Sequence, residues 1–282
     1  MYKIQSNGIG QQSIALYFMS SIGVVPRFDW SIFADPGREK KKSYEYLRYV
    51  MEWTAKNDGV PIVWTGKKSL YKDLIKGTNS TSHRFASIPA FTLNPDGSSG
   101  ILKRQCTEEY KIAEFNKAVR TLLNLGNRNY PSVKVYNAIT VEEFDRISVP
   151  EIAKFINIYP FCNVQTTRSG NKFLNYDVIF GKSLLTRAGC VNWLIQNGFE
   201  VPPKSACTFC PYQSDAQWLD LKRNDAREWK AVVKLDKKIR NSTTKGIDNP
   251  IFLHRSCKPL DEVNLKENQE SIFFDCSGNC DI

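Results

Sequence analysis

Two groups of residues in this sequence have types and spacings suited to chemistry. The first is the cysteines. Cys207-x-x-Cys210 is framed by Pro202-Pro203 before it and Pro211 after it. A two-residue spacer can aim two thiolates at one metal or cluster. The prolines stiffen the loop, so less conformational entropy is lost on ligation. The same spacing also suits a redox dithiol. Cys106 lies between Lys103-Arg104 and Lys111 at the start of a predicted helix, where positive charge and the helix dipole favour a thiolate. With eight cysteines and only two histidines, His83 and His254, any metal here is to be held by sulfur. Zinc and an iron–sulfur centre both accept four thiolates. Cys162 and Cys190 sit in apolar or helical surroundings and read as small buried hydrophobes.

The second group is the turn Ser6-Asn7-Gly8-Ile9-Gly10-Gln11-Gln12-Ser13, between a predicted strand and a predicted helix. Its glycines permit close backbone approach, and a helix start offers unpaired N–H groups and a positive dipole end. Such a turn suits a phosphate or pyrophosphate, or is simply a strand–helix connection with convenient glycines. It lacks the Gly-Lys-Ser/Thr ending of a Walker motif.

The elements that must position these residues begin with strands at 2–6, 29–34 and 61–64, separated by helices after residue 13 and over 39–56. Strands alternating with helices pair in parallel and bury helices on both sheet faces. Ligands then gather at the strands' carboxyl ends, which here are the 6–13 turn, Asp35 and Thr65. Residues 77–100 read as a mobile loop, 107–125 as a helix, 133–139 as a strand and 141–183 as mixed structure. Helices are expected at 184–197, 213–222 and 224–240, then an irregular tail ending in Cys276 and Cys280. The chain divides into a core at 1–140 and a cysteine-bearing helical lobe at 141–282, packed as one unit. No run of about 18 apolar residues offers a membrane span, and the N-terminus lacks the layout of a secretory signal. A cytoplasmic location is expected, where thiols stay reduced. The net charge of +10 favours nucleic acid or nucleotides, or else serves as a solubilising surface. Lys40-Lys41-Lys42 reads as a solvated helix face. Arg84, Arg104, Lys111, Lys204 and Arg255 are the basic residues that fall within motifs, and together they suit a shared anionic ligand.

The turn resembles the PP-loop signature Ser-Gly-Gly-x-Asp-Ser in its variant Gly-x-Gly-x-Gln-Ser. The likeness continues through Phe33-Ala34-Asp35-Pro36-Gly37, Arg84-Phe85-Ala86-Ser87-Ile88-Pro89, Arg104-Gln105-Cys106-Thr107, Pro202 to Pro211 and Leu253-His254-Arg255-Ser256. The chain is similar to the PP-loop ATP pyrophosphatase and phosphoadenylyl-sulfate reductase-like family, in a subgroup frequent in phages and bacteria. That resemblance implies an adenine nucleotide alpha hydrolase-like fold. It implies ATP or a related nucleotide, with magnesium, held by Ser6, Asn7, Gly8, Gly10, Gln12, Ser13, Asp35, Thr65, Arg84 and Arg104. It implies a 4Fe–4S cluster, with zinc as the alternative, on Cys106, Cys207, Cys210 and Cys280. Asp35, Lys111 and Cys276 become the catalytic residues, Cys276 by likeness to the reductases' Glu-Cys-Gly tail. The implied activity is sulfur transfer to, or modification of, a nucleic acid (tRNA or DNA) or a nucleotide. A sulfonucleotide reductase and a non-catalytic nucleotide- or nucleic-acid-binding module are the alternatives. Two departures stand out. Gln12 replaces the signature's acid, and Thr140 to Arg146 matches the subgroup's Ile-Ser-x-Asp-Glu-x-x-Arg only loosely.

Overall fold

The computed structural model describes residues 1–66, 68–85, 88–124, 132–169, 172–174, 185–241 and 247–266. Short, largely apolar runs in the first third build β1 (Tyr2–Ser6), β2 (Trp30–Ala34) and β3 (Ile62–Thr65), joined through α1 (Gln11–Ser21) and α2 (Lys41–Asn57). A further helix absent from the sequence reading, α3 (Leu70–Lys76), follows. Ser69 caps its start, and Gly77, at φ 74°, closes its end.

Residues 77–100, expected as a loop, contain β4 (Phe91–Leu93) and part of β5 (Ser99–Ile101), which form a hairpin. Its third strand, β10 (Ile251–Phe252), comes from the tail expected to be irregular. Three-residue strands whose partner lies so far along the chain leave almost no local signal.

The predicted 107–125 helix divides into a π-helical turn (Glu108–Ile112) and α4 (Ala113–Leu122), followed by β6 (Val133–Tyr136). The mixed segment resolves into a 3-10 turn (Val141–Arg146), β7 (Phe155–Tyr159), β8 (Val164–Thr167) and β9 (Lys172–Leu174). Then come α5 (Arg187–Gln196), α6 (Asp215–Asn224) and α7 (Ala226–Ile239).

The main sheet has the strand order β3-β2-β1-β6-β7-β8-β9. It is parallel from β3 to β7, while β8 runs antiparallel to both of its neighbours. The expected mostly parallel α/β architecture is therefore present. Ile4 pairs with Trp30 on one side and Val135 on the other, placing β1 at the centre of the parallel part, β3 to β7. Helices cover both faces. Tyr17 and Phe18 of α1 pack with Tyr136, Ile158 and Leu194 on one face, and Phe115 and Val119 of α4 pack with Ile4, Val135 and Phe155 on the other. Each such side chain, fully buried, contributes about 1.5–3 kcal/mol.

The division expected at 140/141 does not separate the sheet, because β7 to β9 extend it past residue 140. A second apolar core likewise draws on both halves, joining Leu74, Ile88 and Tyr110 to Phe209, Trp218, Val232 and Leu253. Among the described residues no helix is long and apolar enough to cross a membrane.

Candidate functional site

The 6–13 turn lies at the carboxyl end of the central strand β1, where the chain enters α1. Asn7 organises it. Its backbone N–H donates to Ile32 O at 2.9 Å, its side-chain amide donates to Ser31 Oγ at 3.0 Å, and its Oδ1 accepts from Ile9 N at 2.8 Å. Ile9 is thereby held at φ 53°. Gly8 N donates to Ser13 Oγ at 3.3 Å. The first turn of α1 has neither a side-chain cap nor an acidic residue, so no carboxylate in that turn offsets the positive end of the helix dipole. Ser6 Oγ is buried there and makes no hydrogen bond among the described residues, a state that costs about 1–3 kcal/mol unless a ligand supplies the partner.

Asp35 and Thr65 stand on the same rim, as expected. Asp35 N donates to Thr65 O at 2.7 Å. The Asp35 carboxylate is engaged by the protein itself. Oδ1 accepts from Gly37 N at 2.7 Å and from the Tyr44 hydroxyl at 2.8 Å, and Oδ2 accepts from Trp64 Nε1 at 3.0 Å. The Gln12 side chain reaches the segment that follows β6. Its amide donates to Thr140 Oγ1 at 3.2 Å and to the buried Glu143 carboxylate, which also receives Arg146 and, at 2.7 Å, Arg187.

The cysteine loop lies directly against this rim. Residues 38–40 and 206–208 form a short antiparallel bridge in which Glu39 pairs with Cys207. Lys40 N donates to Ala206 O at 3.3 Å, and Thr208 N donates to Arg38 O at 3.1 Å. A Cβ built on Gly10 would sit 3.9 Å from Ser205 Cβ, so the loop packs beside the start of α1. Cys106, Cys207 and Cys210 line one small pocket of about 30 Å³ together with Pro36, Arg104 and Lys111. The three cysteines thus share one pocket, but among the described residues they do not form the tight metal-holding cluster expected of them. Their donor chemistry suits a thiolate-bound metal or cluster. Among the described residues, however, no group of three or more metal-ligating side chains is gathered closely enough to hold an ion. Cys276 and Cys280 lie outside the described residues.

Beneath the pocket, Lys111 Nζ lies 3.5 Å from Glu39 Oε1, and both side chains are almost fully buried. Ser205 Oγ donates to Glu39 Oε2 at 3.2 Å. Burial pushes the Glu39 carboxyl above its ordinary range, against the opposing pull of Lys111. Burial also lowers the Lys40 ammonium, with Asp220 and then Cys210 pulling the other way.

The motif arginines take different partners. Arg84 pairs with Glu109, Arg104 bonds Thr107, and Arg255 reaches Asp215 at 2.6 Å. Asp215 also accepts from His254, whose imidazolium form is disfavoured first by burial. Cys162 and Cys190 are buried as expected, and burial pushes the Cys162 thiol up to about 12.

Sequence reasoning missed Glu39, Ser205, Glu143 and Arg187. Glu39 follows the rim segment Asp35-Pro36-Gly37 by two residues, and that proximity was the only available signal. Glu143 lies within the loosely matching segment. Compared with family models, curated proteins and solved structures, the chain matches none, so its own geometry carries the functional reading.

Proposed function

We propose that this chain is an adenine-nucleotide-dependent enzyme that modifies a nucleic acid or nucleotide by sulfur transfer. The observation that carries the reading is the packing of the cysteine loop on the phosphate-type turn. Ser205 abuts Gly10, and Pro36 of the rim lines the pocket of Cys106, Cys207 and Cys210. In this reading the uncapped start of α1 and the Ser6 hydroxyl receive the nucleotide phosphates. Lys111, fixed by Glu39, supplies positive charge beside the cysteines. Cys106, Cys207 and Cys210, with Cys280 as the fourth residue, would hold a 4Fe–4S cluster or zinc. Such a group, when bound, supplies soft sulfur-centred chemistry next to the activated substrate. The surplus of +10 suits a polyanionic acceptor such as tRNA or DNA.

A second reading, a nucleotide-binding module without turnover, is favoured by Gln12, whose amide is committed to Glu143 where the PP-loop signature has an acid. Measuring ATP binding and pyrophosphate release on the full chain separates the two. The enzyme reading expects both, and the module reading expects binding alone. Gly10→Val, whose Cβ would meet nothing closer than Ser205 Cβ at 3.9 Å, should weaken ATP binding by at least about tenfold while leaving the fold intact. Undiminished binding in that variant would contradict the placement of phosphate at this turn.

A further inference from the structure

The bridge between residues 38–40 and 206–208 serves two cavities. Pro36 and Cys207 line the cysteine pocket, whereas the next residue of each segment, Gly37 and Thr208, lines a larger cavity of about 720 Å³. Its other walls come from the start of α2 and from α6 and α7. Basic and acidic residues line it in nearly equal number. The acids, however, are taken up by the protein. Glu39 pairs with Lys111, Glu45 lies 3.6 Å from Lys41, and Glu228 holds Arg38 at 2.9 Å. Asp220 accepts from Asn224 Nδ2 at 2.6 Å, and Asp225 caps α7 by accepting from Glu228 N at 3.1 Å. Lys42, Arg48 and Arg227 are exposed, and their side chains make no ion pair or hydrogen bond among the described residues. Two stand on α2 and the third on α7, so free positive charge lines two walls of the cavity.

An aromatic ring stands beside this charge. Tyr44, which lines the cavity, stacks with Trp64 at 5.6 Å between ring centroids and 15° between planes. Trp64 is 40% exposed, and its Nε1 is anchored on Asp35. The indole is therefore held in a fixed orientation with surface left over. Proteins that hold single nucleic-acid strands combine a basic groove, which tracks the phosphates, with aromatic rings on which bases stack. An acidic peptide would use the cations but leave the indole without a partner. A duplex keeps its bases inside the stack and has none to offer Trp64.

We propose that this cavity holds a single nucleic-acid strand, with its phosphates on Lys42, Arg48 and Arg227 and one base on Trp64. The inference rests on the proposed function, whose acceptor it leads to Gly37 and Thr208, beside the nucleotide turn and the cysteine loop.

Fluorescence anisotropy of the full chain with a labelled single-stranded oligo-dT of about ten nucleotides tests it. Saturable binding is expected, at least about tenfold tighter than to a duplex of the same length or to poly-glutamate. The triple variant K42A/R48A/R227A, altered at exposed positions, should lose at least about tenfold in affinity. Its plot of log affinity against log salt should also flatten by about two units, since each phosphate contact to a single strand contributes about 0.7. Trp64→Ala should lose at least about fivefold, whereas Trp64→Phe, which keeps a ring but not the bond to Asp35, should bind as the parent does. No strand binding, equal affinity for the duplex or poly-glutamate, an unchanged salt slope in the triple variant, or equal losses in the two Trp64 variants would each overturn the proposal. ATP binding measured on the same preparation keeps the two readings apart. ATP binding without strand binding overturns this inference alone, while strand binding without ATP binding upholds it and contradicts the nucleotide site.

Discussion

Gln12 is held by the protein's own polar groups. It is 4% exposed, and its amide donates to Glu143, a buried carboxylate that Arg146 and Arg187 also hold. An acid at position 12 would set a second carboxylate against Glu143 where the dielectric is low, and the donor would be lost at the same time. Gln12→Glu is therefore expected to cost about 1–3 kcal/mol in urea unfolding at neutral pH. Adding Glu143→Gln should restore much of that loss, because the double variant re-forms a donor–acceptor pair. Losses that simply add would show that the contact carries no energy. Asp35 tells a related story. Both its oxygens accept protein hydrogen bonds, from Gly37, Tyr44 and Trp64, so its carboxylate holds the rim together whatever else it contacts.

That rim also depends on how strands end. After β3 the chain passes Gly66 at φ 127°, and a Cβ there would fall 2.2 Å from Asp35 O. No L side chain fits this approach. Gly66→Ala should cost at least about 2 kcal/mol and lower the melting temperature, while the same change at Gly23, at φ 83° in open space, meets only the backbone penalty. A Gly66→Ala variant as stable as the parent would show that the β3 end is not constrained by Asp35. Elements with strong local patterns were legible in the sequence. The buried Ile4, Ile32 and Phe33 lie in short segments that stop at turn residues, and α2 shows Tyr46, Leu47 and Val50 on its inner face. The β4–β5–β10 sheet was not legible, because Thr92 pairs with Ile251 from a distant part of the chain and neither strand exceeds three residues. The π-helical turn was hidden as well, since its apolar spacing runs smoothly into that of α4.

Across the whole molecule, the fold joins what the sequence separates. The second core unites α3 and the segment around Tyr110 with α6 and α7, and that packing carries Cys106 to the loop bearing Cys207 and Cys210. The three cysteines were legible from their spacing and charged setting. Glu39 and Ser205, which tie the loop to the segment after β2, were not, because their roles exist only once residues 38–40 bridge to 206–208. The central claim is that these thiols form one metal-holding centre beside a nucleotide site. The most direct measurement is iron, zinc and sulfide analysis, with visible absorption, of the full chain purified without oxygen. The parent is expected to carry metal in a fixed ratio to protein, and Cys106→Ser, Cys207→Ser and Cys210→Ser should each lose most of it. A parent chain free of iron and zinc, or full metal retention in Cys106→Ser, would contradict the claim.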